Sequence, residues 1–314
     1  RLHDLFDLAR ESGAATVMLP PGAYLVRGLV IPQGIRLVGA GQREDTTIVL
    51  ADGSNAPVIR GGYGATSGST AFHAVENLTV DGNAWGQAGY KAGPRPDLVD
   101  KADGLTAGHG ILLHREAIDP AQAGEIDSWS LVQGVTVRNA RATGIVTRYA
   151  GGENRIVNVR AEWCGGWGVA PGHDTMVDLT TAAQNSAGGF DFSSGSMAVG
   201  TIKAFGNGSV WRYHRQRSGN RTFIRPAPGV RMAGGMQIFG QINAQNNAAH
   251  GVVCSSSGLV ADVLADSNNM LAWKGTSADF QSVAVPYEYA TGDEYKAAVP
   301  DAPKVTDETY AGVY

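Results

Sequence analysis

Short apolar runs, each closed by a small or polar residue, punctuate this chain more often than helical spacing does. The segments GIRLVGAG (34–41), TTIVL (46–50), VENLTVDGN (75–83) and GHGILLH (108–114) each read as one strand and its corner. Further along, the runs fall into a repeat. The pattern Ala-x-x-Asn recurs as Ala182–Asn185, Ala204–Asn207, Ala244–Asn247 and Ala265–Asn268, with degenerate copies at Ala161–Cys164 and Ala140–Thr143. The alanines are separated by steps of 21, 21, 22, 40 and 21 residues. A β-branched residue lies two positions before most of them: Val159, Thr180, Ile202, Ile242 and Val263. A second short strand follows each corner, beginning at Gly144, Gly168, Gly189, Ser209, Gly251 and Met270.

A period of about 20–25 residues with two or three short strands per unit predicts a β-solenoid, because no single unit can bury its apolar face alone. Leucine-rich repeats share the period, but their leucine spacing is absent. Parallel crossovers are right-handed. The fold class expected is therefore all-β, a right-handed single-stranded parallel β-helix. The recurrent asparagines are expected to stack in one column and bond up the ladder. The opening LHDLFDLA places apolar residues at 2, 5, 6 and 9, a helical spacing that Ser12-Gly13 ends, so an N-terminal helix is expected to cap the solenoid. The expected organisation is a cap and lead-in strand over 1–33, a parallel β-helix over 34–274 and an irregular or truncated extension over 275–314. Insertions interrupt the β-helix at 82–107, 115–129 and 208–233.

Composition narrows this picture. The 43 glycines, about twice the usual share, carry no collagen period and suit many tight corners. A charged fraction of 17% and a net charge of −4 argue against a general nucleic-acid binder and against disorder. No run of 18 apolar residues appears, so no membrane insertion is expected. Residue 1 is Arg without an apolar leader, which reads as a signal peptide absent or removed. Cys164 and Cys254 are too few for a disulfide framework or a four-cysteine zinc site, and both are expected free and largely buried.

The stretch ATVMLPPGAYLVRGLVIPQGIRLVGAG (15–41) resembles the opening coils of the pectate-lyase-like right-handed parallel β-helices. There a Pro-Pro-Gly-x-Tyr turn leads to a strand and then a Leu-x-Gly-x-Gly corner. The same opening is similar to that of phage tailspikes and of bacterial polysaccharide lyases and hydrolases. The resemblance implies a polysaccharide partner, a homotrimer as in tailspikes, and a place on a virion tail or outside the cell.

Candidate chemistry follows from the insertions, which in solenoids gather on binding faces. Residues 208–233 hold six arginines (212, 215, 217, 221, 225 and 231) and no Asp or Glu. Insertion 82–107 adds Trp85, Tyr90, Lys91, Arg95 and Lys101, and 115–129 is acidic. Aromatic faces stack on sugars and guanidinium forks bind carboxylates, so Trp211, Arg212, Tyr213, Arg148, His173 and Arg215 are candidate polysaccharide-binding residues. The partner expected is an anionic or neutral polysaccharide. Trimer packing is the competing role for such a loop. Asp191, flanked by Phe190 and Phe192, is expected to face outward in one column with Val146, Ala170, Trp211, Val253 and Ala272. Together with Asp174 it is the candidate catalytic pair, at the spacing of a two-carboxylate glycosidase. His109, in a Gly-His-Gly, resembles a polygalacturonase motif, but that family's other motifs are absent and a corner role is expected. No metal site or cofactor is expected. Surface-polysaccharide recognition and depolymerisation, by a hydrolase or lyase, is thus set against a non-catalytic adhesin.

Overall fold

The computed structural model describes residues 2–62, 72–87, 108–113, 129–147, 153–211, 221–223, 227–235, 237–255 and 258–268. Parallel coils begin at once. The first is β1 (Thr16–Leu19), β2 (Gly22–Val26) and β3 (Leu29–Pro32), and the second β4 (Arg36–Gly39), β5 (Thr46–Leu50) and β6 (Ile59–Gly62). The third is β7 (Ala74–Glu76), β8 (Thr79–Asp81) and β9 (Ile111–Leu112), and the fourth β10 (Leu131–Gln133), β11 (Thr136–Arg138) and β12 (Ile145–Val146). The fifth comprises β13 (Arg155–Val157), β14 (Arg160–Glu162) and β15 (Trp167–Ala170). The sixth comprises β16 (Thr175–Asp178), β17 (Thr180–Ala183) and β18 (Gly188–Phe192). In the seventh, β19 (Met197–Phe205) is followed by a hairpin of β20 (Ser209–Trp211) and β21 (Arg221–Phe223), then by β22 (Val230–Met232). The eighth is β23 (Gln237–Gln245) and β24 (Val252–Cys254), and β25 (Gly258–Asp266) opens the next.

Stacking these coils makes three parallel faces. Face one runs β1-β4-β7-β10-β13-β16, face two β2-β5-β8-β11-β14-β17, and face three β3-β6-β9-β12-β15-β18-β22-β24. The nine-residue strands β19, β23 and β25 turn the corner and serve faces one and two together. The chain is a right-handed parallel β-helix. Strand alternation turns every second side chain inward. On face three Leu29, Ile59, Ile111, Ile145, Val169, Phe190, Val230 and Val252 pair coil to coil, and each is at most 1% exposed. Burying each such side chain stabilises the fold by about 1.5–3 kcal/mol.

The asparagine column forms as the repeat predicted. Nδ2 of Asn185, Asn207 and Asn247 donates to Oδ1 of the asparagine one coil on, at 3.1, 2.9 and 2.8 Å. The backbone N–H groups of Cys164, Asn185, Asn207 and Asn247 likewise donate to Oδ1 of the asparagine one coil on, Asn185, Asn207, Asn247 and Asn268 respectively. Cys164 therefore occupies the asparagine position of its coil. Ala161, Ala182, Ala204, Ala244 and Ala265 share one register, but Ala140 does not: Val137 pairs with Ala161. Ala140 instead aligns with Cys164, just after the left-handed corner residue, which is Asn139 (φ 55°) in this coil and Trp163 (φ 61°) in the next.

The cap is α1 (Leu2–Ser12), which buries Phe6 and Ala9 on the first coil and leaves Leu5 and Leu8 exposed. Gly13, at φ 72°, ends it, and Ala14 N–H donates to the Ala9 carbonyl at 2.8 Å. No helix among the described residues is long and apolar enough to cross a membrane.

Candidate functional site on face three

The outward positions of face three decide where the predicted residues stand. Arg60, Leu112 and Val146 are successive neighbours across coils. Ala170 follows, and Asp191 pairs with Arg231, which pairs with Val253. The expected column thus holds for Val146, Ala170, Asp191 and Val253, but Trp211 is not in it. Ser209–Trp211 folds back on Arg221–Phe223 as an antiparallel hairpin, and Val230–Met232 takes the rung. A Gly-apolar-x-apolar run, Gly229-Val-Arg-Met, matches Gly189-Phe-Asp-Phe and was the signal for this. Arg231, counted only as one loop arginine, is the neighbour of Asp191.

Asp191 was expected to face water, and it does not: its exposure is 0%. It points away from the stacked Phe190 and Phe192 rings inside the core, yet it is enclosed. Arg231 Nε donates to Asp191 Oδ1 at 2.8 Å, and the Arg231 side chain keeps 38% of its surface exposed. Its Cζ lies 4.9 Å from the centre of the Trp167 ring, one coil further down. Trp167 pairs with Gly188, whose φ is 149° and where a Cβ would come within 2.1 Å of the indole. Gly188 therefore makes room for the ring. At Gly189 a Cβ would meet the Gly229 carbonyl oxygen at 2.4 Å, so the coil above leaves no room there. The glycine pair of AGGFDFS serves packing.

Asp174 and His173 are exposed in the corner between β15 and β16, with Asp174 at φ 49°. One member of the expected carboxylate pair is thus open to solvent and the other enclosed in an ion pair. Arg148, Arg212, Tyr213 and Arg215, the Trp211 side chain and Ala272 lie outside the described residues. His109 is a buried corner residue, as expected. Its Nδ1 accepts the Thr143 N–H at 3.2 Å, which leaves the ring proton on Nε2. Thr143 Oγ1 accepts from the backbone N–H of Trp167 at 3.3 Å, tying this corner to the start of β15.

Burial lowers the pKa of His250, just before β24, and of His73, just before β7. The Gly62 carbonyl 3.1 Å from His73 Nε2 opposes the shift there. Burial pushes the Cys164 thiol up to about 12. Both cysteines are free; Cys164 is buried, while Cys254 is half-buried, more open than expected, because it ends a strand of the last described coils. No cluster of three or more His, Cys, Asp or Glu suited to a metal occurs among the described residues.

No family model matches the chain. Over 147 residues it is 31% identical to the mannuronan C5-epimerase AlgE3 of Azotobacter vinelandii, and over an equal length 29% identical to AlgE4 of the same organism. The match takes in 43% of this chain but spans only 8% and 26% of those relatives. The solved A-module of the A. vinelandii epimerase AlgE4 superposes with a TM-score of 0.50 at 21% identity, over 85% of this chain and 73% of that one. A likeness at that identity speaks to architecture. With the coil stacking described above, it supports one conclusion: the chain has the architecture of a right-handed parallel β-helix.

Proposed function

We propose that this chain takes up a polysaccharide along face three. The supporting observation is where the insertions join the fold. Residues 63–71 follow β6, 88–107 precede β9, 114–128 follow β9, 148–152 follow β12, and the β20–β21 hairpin precedes β22. Each is attached at an end of a face-three strand. They carry Tyr90, Lys91, Arg148, Arg212, Tyr213 and Arg215, side chains suited to stacking on sugars and binding their acidic groups. The partial relatives are named for an action on mannuronan, itself a polymer of uronic acids, which favours an acidic polysaccharide.

Hydrolysis by Asp174 and Asp191 is the less favoured chemistry, because a two-carboxylate mechanism needs both groups open to one bound sugar and Asp191 is enclosed. Chemistry at the uronate C5 suits the site better. Loss of that proton, the step shared by epimerisation and elimination, needs the adjacent carboxylate neutralised by a cation. The test is direct. Titration against polymannuronate, polygalacturonate and a neutral glucan reads binding. Deuterium uptake at C5 and the ultraviolet absorbance of unsaturated ends read turnover. A protein that binds none of these polymers removes the polysaccharide role.

A second role, an adhesin without turnover assembled as a homotrimer on a virion tail or secreted particle, draws on face one. Met176, Ala198, Ile238 and Leu259 pair in one outward column. The three large ones are 50, 61 and 68% exposed. Such a stripe suits packing against a second copy. A monomer by light scattering at micromolar concentration would count against it.

A further inference from the structure

We infer that Arg231 is the group that reads the uronate carboxylate, and that Asp191 and Trp167 are positioning residues that aim it. This inference rests on the polysaccharide role proposed above and names the chemistry of its ligand. A carboxylate enclosed in protein is costly unless it is paired and hydrogen-bonded. Asp191 is fully enclosed, and the Arg231 guanidinium is held 2.8 Å from it. The pair is lopsided, with 0% exposure on the acid and 38% on the base. An ion pair serving packing alone has no need to present its cation to solvent. Beneath the guanidinium lies the Trp167 ring at 4.9 Å, itself 6% exposed. The indole attracts the cation and sets the plane of the fork, and Gly188 keeps the space in which it lies.

The surroundings strengthen the field of this cation. Along the outward column its other neighbours are apolar: Val253 on one side, and Ala170 and Val146 beyond Asp191. Interactions of a charge gain strength where water is partly excluded. A planar guanidinium matches a carboxylate, and equally a sulfate, in geometry. We assign carboxylate, because the partial relatives are named for a uronate polymer. Sulfate becomes an arm of the test.

The experiment measures binding of polymannuronate, of the same polymer with its carboxyl groups reduced to hydroxymethyl, and of dextran sulfate at matched salt. Wild type should prefer the uronate to its reduced form by about ten- to a hundredfold, the worth of one charge-assisted hydrogen-bonded contact. Arg231→Gln should abolish that preference and leave binding of the reduced polymer in place. Because Arg231→Gln strands the Asp191 charge and can unfold the protein, the double variant Asp191→Asn/Arg231→Gln is measured beside it, with a thermal melt. Arg231→Lys, which keeps the charge and loses the fork, should retain only part of the preference. Equal binding of uronate and reduced polymer by wild type overturns the inference and leaves the polysaccharide role standing. So does an undiminished preference in the folded double variant, or an equal affinity for dextran sulfate. Failure of wild type to bind either form of the polymer overturns both.

Discussion

Replacing Asn207 by Ala tests whether the ladder holds the coils in register. The Asn207 side chain is fully buried and makes four hydrogen bonds. Its Oδ1 accepts from Asn185 N–H and Asn185 Nδ2, each at 3.1 Å. Its Nδ2 donates to the Ala182 carbonyl at 3.1 Å and to Asn247 Oδ1 at 2.9 Å. Alanine removes all four and strands two buried donors on Asn185, each costing about 1–3 kcal/mol without a partner, so the expected loss is about 2–6 kcal/mol. Asn207→Asp changes only the amide nitrogen to oxygen, yet it sets a carboxylate against the Ala182 and Asn247 oxygens and should destabilise at least as much. Urea unfolding followed by circular dichroism and by tryptophan fluorescence measures both, and coincident transitions license one free energy. The exposed Gln241, bonded to Asp262 at 3.2 Å, is the control, and its alanine variant should stay within about 0.5 kcal/mol of wild type. A loss below about 1 kcal/mol for Asn207→Ala would refute the ladder's energetic role.

Gly188→Ala drives a methyl into the Trp167 ring, so it should lower the melting temperature and shift tryptophan emission; an unchanged spectrum would deny the contact. In the native protein the half-buried Cys254 should react with a thiol reagent well before Cys164, whose buried thiol is held at about 12, and unfolding should release a second reactive group. Equal rates in the folded state would contradict that order. For pH, burial depresses His73 and His250 below the unfolded value of about 6.5, so below that pH the unfolded chain binds more protons than the folded one. The stability they contribute is complete above pH ~6.5 and is lost as pH falls through their folded values. His73→Gln and His250→Gln should each flatten the decline of melting temperature between about pH 7.5 and 5, and an unaltered slope would refute it.

Much of the architecture was legible in the order of residues alone. The Ala-x-x-Asn period sets the asparagine column because identical side chains in a parallel stack meet one another at every rung, a local rule that repeats. The helical spacing of the opening residues placed α1, and the strand alternation around Asp191 set its outward direction correctly. Tertiary structure decided the rest. Direction off a strand does not determine exposure, which depends on what the neighbouring coils lay over it; Arg231, 40 residues ahead of Asp191, pairs with its carboxylate, and Trp167, 24 behind it, packs on that guanidinium. The step of 40 was readable as an insertion, but which of its two strand-like runs rejoins the stack was settled by pairing. Ser209–Trp211 found an antiparallel partner in Arg221–Phe223, and Val230–Met232 had the inward apolar residues that the core demanded. A register shift of one run along the chain exchanges an aromatic for a guanidinium beside the same aspartate. The Gly-apolar-x-apolar run at Gly229 marks one candidate in the sequence, but the choice itself is made by contacts between coils.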